Sequence, residues 1–159
     1  NPSSGELQDI KLETGEEVYK KVISLVEEWG KELIGKYGYS SISAVVGATY
    51  PKQLETLRKI APNTFFLIPG YGAQGGTAKD IALGFDKNGL GGIVNSSRGL
   101  MCAYKSDLWK DKYEEADFAK ATRAEAIRMR DEINVSMGTE IFKSLSRYRG
   151  RVALPHQKF

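Results

Sequence analysis

Cysteine and histidine are almost absent from this sequence: among 159 residues each occurs once, as Cys102 and His156. A single cysteine excludes an internal disulfide framework and suits a reducing compartment such as the cytosol. We interpret Cys102 and the nearby Tyr104 as packing residues. His156 lies in a polar tail without a nearby acid or nucleophile, and no catalytic triad, metal cluster or carboxylate pair stands out. The common metal and nucleophile sites are therefore not predicted.

Long apolar runs and a strong charge imbalance are also lacking. No segment is apolar enough over a sufficient length to cross a membrane, and we find no signal peptide. The net charge is only +3, and much of it comes from a basic tail at residues 139–159, of a kind that is usually solvated, so nucleic-acid binding is not expected. With 41% hydrophobic residues, the sequence predicts one domain over residues 1–159, ending in this tail.

Helix and strand patterns alternate along the chain. An amphipathic helix is predicted from Val18 to Leu33, ending in the glycines at 35 and 38. The apolar runs ISAVVGA, TFFLIPG and LGGIVN predict three strands. Helices are predicted between them, in YPKQLETLRKIAP and after a Thr77 N-cap, and a long helix over 117–137. Short strands separated by helices indicate a parallel α/β sheet, because parallel strands need crossover connections.

Small, polar and glycine-rich segments follow the three strands: GAT, PGYGAQGG and NSSRG. Nine of the 17 glycines lie between Gly70 and Gly99. Glycines let backbone N–H groups approach an anion, and Arg98 can offer a two-pronged charged contact. Parallel α/β proteins bind ligands beyond the carboxyl ends of their strands, so we predict a phosphate site here.

Each of these features also has a purely structural interpretation. A glycine-rich loop is often a simple turn, Arg98 could form a surface ion pair, and Thr49, Ser96 and Ser97 could satisfy strand-end backbone groups. Gln74 is harder to explain as structure, because an amide on a glycine-rich loop has little to do except bind a ligand.

The motifs PGYGAQGG and NSSRG, with VVGAT upstream, resemble the orotidine 5′-phosphate decarboxylase family, specifically its longer bacterial type, over most of the chain. The resemblance implies a (β/α)8 TIM barrel, usually dimeric. It also implies conversion of orotidine 5′-monophosphate to uridine 5′-monophosphate (UMP) and carbon dioxide, in pyrimidine biosynthesis, without a metal or organic cofactor. The three strands would be the sixth, seventh and eighth of the barrel.

The resemblance also implies roles for individual residues. The segment from Pro69 to Lys79 would be a lid that closes over the phosphate. Gln74 would contact the phosphate and bridge toward the base, and Arg98 would clamp the phosphate. Gly72 and the backbone N–H of Ser97 or Arg98 would complete the cradle. Asn1, Pro2 and Ser3 would lie beside the pyrimidine.

The family's catalytic lysine and aspartate array is not found in this sequence, which has no D-x-K-x-x-D pattern. The chain is therefore expected to be the carboxyl-terminal half of the enzyme, inactive alone, with the N-terminal half as its partner. Two alternatives stay open. One is another phosphate-binding TIM-barrel lyase that acts on a sugar phosphate, and the other is a non-catalytic phosphate-binding fragment.

Overall fold

The computed structural model describes residues 2–72 and 74–138. Three strands alternate with helices, as the sequence predicts, and the elements in chain order are α1 (Gly5–Gln8), α2 (Val18–Gly30), β1 (Ser43–Val45), α3 (Pro51–Ile60), β2 (Phe65–Pro69), α4 (Ala78–Ala82), β3 (Gly92–Asn95), α5 (Ser97–Met101) and α6 (Phe118–Met137). Short 3-10 turns cover Pro2–Ser4, Lys31–Leu33, Ala103–Lys105 and Glu115–Asp117. The basic tail predicted at 139–159 lies outside the described residues.

The strands form one parallel sheet in the order β1-β2-β3. Ala44 and Phe66 are partners in the register of β1 and β2, and they point to the face that the helices cover. Phe66 and Ile68 on this face are fully buried. They form the core with apolar residues of α2, α3, α4 and α6, including Ile23, Leu54, Ile81 and Met129. Burial of these side chains is the main source of the sheet's stability.

The opposite face of the sheet is open. Val45, Leu67 and Ile93 are register partners across the three strands, and they are 70%, 37% and 56% exposed. Parallel sheets are normally covered on both faces, and their strands are then apolar on both. The continuous apolar runs in this sequence fit that rule, whereas the described residues cover only one face.

Helix α2 ends earlier than the sequence predicts. It stops at Gly30, and a 3-10 turn covers Lys31–Leu33. The chain then turns back, because Ile34 pairs in an antiparallel bridge with Ser40. A Cβ atom at Gly30 would lie 2.5 Å from the Ser40 hydroxyl oxygen, so this close approach requires glycine. Leu33 is 48% exposed and does not continue a buried helix face.

A hollow of about 400 Å³ runs beside the free edge of β1. It is lined by apolar residues of α2, including Val18, Val22 and Val26, and by Ala44 to Val46 of the strand side. Val22 is 51% exposed although it lies on the apolar stripe of an amphipathic helix. Helix α2 thus presents apolar surface to a space next to a strand edge that has no partner among the described residues.

Arg58 ties together the amino-terminal ends of the strands. It is only 7% exposed, and its guanidinium lies 3.7 Å from the ring centroid of Phe66. It donates hydrogen bonds of 2.8 to 2.9 Å to the carbonyl oxygens of Gly84, Ala61, Thr64 and Gly91. Burial lowers the pKa of this guanidinium, and the surrounding carbonyls supply the acceptors that a buried cation needs.

Candidate functional site

The glycine loop, residues 70–76, follows β2 and closes on itself. Gly72 donates its N–H to the carbonyl of Gly76 at 2.9 Å, and Gly76 donates to the carbonyl of Gly70 at 3.0 Å. Gly70 and Gly72 have φ angles of +108° and +71°, which residues with a Cβ rarely adopt. A Cβ atom at Gly76 would lie 2.7 Å from the carbonyl oxygen of Gly70. The abrupt change from strand to glycine therefore has a steric cause.

Helix α4 begins directly after this loop with a capping box. Thr77 donates its N–H to the Asp80 carboxylate at 2.8 Å, and Asp80 donates its N–H to the Thr77 hydroxyl. The N-cap predicted at Thr77 is confirmed. The hydrogen bonds from the Thr77 hydroxyl and N–H lower the pKa of Asp80. Because this carboxylate already occupies the positive end of α4, an anion is better accommodated toward β3.

The ends of β1 and β2 converge around the glycine loop. Ala48 donates its N–H to the carbonyl of Pro69 at 2.9 Å. A Cβ atom placed on Gly70 would lie 3.5 Å from Oε1 of Gln74 and 3.6 Å from the hydroxyl oxygen of Thr49. Gln74 and Thr49 therefore approach the same point of the backbone, where two polar side chains can face a ligand together.

Arg98 lies in α5, which begins immediately after β3. Its side chain is exposed, and it forms no hydrogen bond or ion pair with any other residue that the structure describes. The structural alternative of a surface ion pair is thus not observed in this part of the chain. An unpaired guanidinium next to a glycine loop can bind a phosphate through two parallel hydrogen bonds.

The serines before Arg98 have distinct contacts. The Ser96 hydroxyl donates to the backbone carbonyl of Tyr71 at 3.3 Å, and the Ser97 hydroxyl donates to Oδ1 of Asn95 at 3.2 Å. Ser96 is the N-cap residue of α5 but makes no side-chain capping bond. Its hydroxyl joins the end of β3 to the glycine loop instead.

Most of the predicted site residues lie at one edge of the sheet. Pro69 ends β2, and Gly72 and Gln74 follow it. Ser97 and Arg98 follow β3. Pro2 and Ser3 belong to the first 3-10 turn, whose last residue, Ser4, lines the hollow together with Gly47 and Thr49. Asn1 lies outside the described residues. The ligand contacts of all eight residues stay predictions.

The sequence suggests no role for Tyr71, yet the structure buries it and bonds it to α6. It is 5% exposed, and its hydroxyl donates a 2.7 Å hydrogen bond to Oε2 of Glu132 in α6. Burial, together with this bond, raises the pKa of Tyr71 to about 12, so the hydroxyl is a proton donor at neutral pH. The sequence offers one signal, a single aromatic residue among glycines. It does not reveal the contact, because the partner Glu132 is 61 residues away.

A charged cluster on α6 supports Glu132. Arg128 donates two hydrogen bonds to Glu125, at 2.8 and 2.7 Å, and a third of 2.5 Å to Glu132. Trp109 donates its indole N–H to Glu125 at 2.8 Å. Burial opposes the charge on Glu125, but the hydrogen bonds from Arg128 and Trp109 outweigh it and lower the pKa.

Cys102, interpreted from sequence as a packing residue, is exposed instead, because α5 ends there and its packing side is taken by residues such as Leu100.

Among residues 2–72 and 74–138, no three cysteine, histidine, aspartate or glutamate side chains are grouped so that they could hold a metal ion. None of the helices described is both long enough and apolar enough to span a bilayer.

The geometry defines a class of protein: an α/β fold with a parallel sheet and glycine-rich segments at the carboxyl ends of its strands, consistent with part of a (β/α) barrel. Solved structures agree. The chain superposes on an orotidine monophosphate decarboxylase from Leishmania donovani with a TM-score of 0.64 and 28% identity, over 87% of this chain and 46% of that one. A UMP synthase from the same organism gives a TM-score of 0.63 and 28% identity, over 86% of this chain and 26% of that one. These neighbours are TIM barrels, and the predicted fold is confirmed.

Curated sequences give the more specific result. The chain is 46% identical over 133 residues to an orotidine 5′-phosphate decarboxylase from Clostridium tetani, and 42% identical over 133 residues to one from Rhodopirellula baltica. Each match covers 84% of this chain and 44% of the relative, so the chain spans somewhat less than half the length of these relatives. No protein-family profile matches the chain. The resemblance to the orotidine 5′-phosphate decarboxylase family is confirmed for this portion of it.

Proposed function

We propose that this chain is part of an orotidine 5′-phosphate decarboxylase, which converts orotidine 5′-monophosphate to UMP and carbon dioxide. The observation that carries the proposal is the exposed Arg98, whose side chain has no hydrogen-bond or ion-pair partner among the described residues, beside a closed glycine loop in a sequence that matches these enzymes. In the proposal, Arg98 and Gln74 hold the phosphate, and backbone N–H groups of Gly72 and Ser97 complete the cradle.

A phosphate site can contribute to catalysis although the phosphate does not react. Contacts to a remote group supply binding energy that can stabilise a closed, water-poor site around the reacting carbon. The glycine loop suits this role, because its positive φ angles allow backbone N–H groups to approach an anion. Each charge-assisted contact to the phosphate contributes about 1.5 to 3 kcal/mol.

The remaining part of the protein is proposed to carry the reacting groups. The sequence has no D-x-K-x-x-D pattern, so the proton donor to the pyrimidine carbon would come from the N-terminal half of the barrel. Two features support such a partner. Among the described residues, nothing covers the apolar row Val45, Leu67 and Ile93, and the hollow beside β1 adjoins a strand edge without a partner. We further propose a cytoplasmic homodimer.

The test is an ultraviolet assay of orotidine 5′-monophosphate decarboxylation, run on this chain alone and on the whole protein. By the whole protein we mean this chain together with the N-terminal half that the proposal requires. We expect activity from the whole protein and none from the chain alone. Activity of the chain alone would contradict the placement of the catalytic residues.

A binding comparison separates the open alternatives. We expect the whole protein to bind UMP more tightly than pentulose phosphates. Preference for the pentulose phosphate would favour a sugar-phosphate lyase, and phosphate binding without any lyase activity would favour a non-catalytic module.

A further inference from the structure

Tyr71 is the one aromatic residue in the glycine loop, and its contacts fix a segment that has little conformational preference of its own. Gly70 and Gly72 on either side of it have positive φ angles, and glycine populates many backbone conformations at low cost. The position of the loop must therefore come from tertiary contacts. Tyr71 supplies two of them, because its side chain is buried against α6 and its backbone carbonyl accepts a hydrogen bond from Ser96.

The first contact ends on a carboxylate that a second side chain also holds by a hydrogen bond. Oε2 of Glu132 receives the Tyr71 hydroxyl at 2.7 Å and also receives Nη1 of Arg128 at 2.5 Å. Arg128 is itself held by two hydrogen bonds to Glu125, which is 8% exposed and bound by Trp109. The hydrogen bond from Arg128 therefore helps to hold the carboxylate oxygen that accepts the Tyr71 hydroxyl.

The second contact connects the loop to the arginine. The Ser96 hydroxyl donates to the Tyr71 carbonyl, and Ser96 stands two residues before Arg98. A Cβ atom at Gly99 would lie 2.6 Å from this hydroxyl oxygen, so the start of α5 is packed closely around it. Tyr71 thus touches both the helix behind the site and the turn that carries Arg98.

We propose that Tyr71 is a positioning residue: its hydroxyl bond to Glu132 and its carbonyl bond to Ser96 hold the glycine loop at the spacing from Arg98 at which both contact one phosphate group. This inference rests on the proposed function and extends it, since it makes α6 part of the support of the phosphate site. Tyr71 itself does not contact the ligand in this proposal.

The test compares the affinity of the whole protein for UMP and for uridine, which lacks the phosphate, by calorimetric titration. Tyr71→Phe removes only the hydroxyl. We expect it to weaken UMP binding about three- to tenfold, the effect of one hydrogen bond, and to leave uridine binding unchanged. Glu132→Ala should cause a similar loss, and the double variant should bind no more weakly than the weaker single variant. Glu132→Gln keeps an acceptor oxygen and should recover part of the affinity.

Tyr39→Phe is the matched control. The Tyr39 hydroxyl donates a part-buried hydrogen bond of 2.7 Å to Asp86, next to the amino-terminal ends of the strands. Its loss should lower stability without changing the affinity for UMP. If Tyr71→Phe left both affinities unchanged, or weakened UMP and uridine equally, the positioning role would be wrong.

Ribose 5-phosphate separates this inference from the proposed function. Wild-type protein that bound ribose 5-phosphate but not UMP would overturn the pyrimidine substrate. In that case, a similar weakening of ribose 5-phosphate binding by Tyr71→Phe would still support the role of Tyr71. Failure to bind either phosphate ester would overturn both proposals.

Discussion

At the scale of single residues, Arg98 is the residue whose environment suggests a ligand most directly. Arginine always carries a charge and a planar set of hydrogen-bond donors, and exposed arginines commonly form ion pairs with neighbouring carboxylates. Arg128 and Arg130 do so on α6, whereas Arg98 has no such partner among the described residues. The guanidinium of Arg98 lies beside glycine N–H groups, and its donors are suited to binding a phosphate.

We expect Arg98→Ala to weaken the binding of UMP by the whole protein about 10- to 150-fold, which corresponds to the loss of one charge-assisted contact of about 1.5 to 3 kcal/mol. The fold should persist, because the side chain is exposed and makes no hydrogen bond or ion pair with another described residue. Titration of UMP and thermal unfolding measure the two effects. Lys59→Ala is the control, since it removes one exposed positive charge near the C-terminal end of α3, before the strand β2 begins. Equal affinities of Arg98→Ala and the wild type would remove Arg98 from the site.

Gln74 should show a smaller effect of the same kind. Its neutral amide lies near Gly70 and Thr49, and a neutral hydrogen bond contributes about 0.5 to 1.5 kcal/mol. We expect Gln74→Ala to weaken UMP binding by a factor of about 2 to 12 and to affect uridine binding less. Gln53→Ala on α3 provides a comparison with the same chemical change in the lining of the hollow. A loss shared equally by UMP and uridine would contradict contact with the phosphate.

At the scale of secondary structure, local patterns predicted most elements, and distant contacts explain the differences. Apolar runs and helical spacing are local, so the three strands, α3, α4 and α6 could be predicted from sequence. The end of α2 depends on Ser40 packing against Gly30, which no local pattern reveals. The bond from Tyr71 to Glu132 joins two segments far apart in the chain and was missed for the same reason.

Arg58 shows how one side chain can connect several elements. It donates to carbonyls near the end of α3, before β2, after α4 and before β3. Its position at the amino-terminal ends of the strands, opposite the candidate site, is the side of a barrel on which stability rather than catalysis is expected.

We expect Arg58→Met to destabilise the protein by at least about 3 kcal/mol, because several buried carbonyls lose their donor. Arg58→Lys should recover only part of this loss, since one ammonium group cannot reach four carbonyls in different directions. Denaturant unfolding of the whole protein measures both, with Lys59→Ala as a surface control expected to change stability by less than about 1 kcal/mol. Similar stability of Arg58→Met and the wild type would show that water or other donors replace the guanidinium.

At the scale of the whole molecule, the sheet has the composition of a structure covered on both faces, but the described residues cover only one of them. Val45, Leu67 and Ile93 form a row of apolar side chains in register, and in a barrel they would lie in its packed interior. The free edge of β1 and the hollow beside it lie at the place where a further parallel strand would pack against α2.

The open face yields a prediction that separates the chain alone from the whole protein. Val45→Lys places a charge on a side chain that is 70% exposed here, so it should change the stability of the chain alone little. In the whole protein the same position would face a packed interior, and an unpaired buried charge should cost at least about 3 kcal/mol. Val135→Lys is the matched control, because Val135 is 81% exposed on α6 and should tolerate lysine in both forms. Thermal and denaturant unfolding of both variants in both forms gives the comparison. If Val45→Lys were tolerated in the whole protein as well as Val135→Lys is, the row would not be covered by the rest of a barrel, and the proposed partner of this chain would have to bind elsewhere.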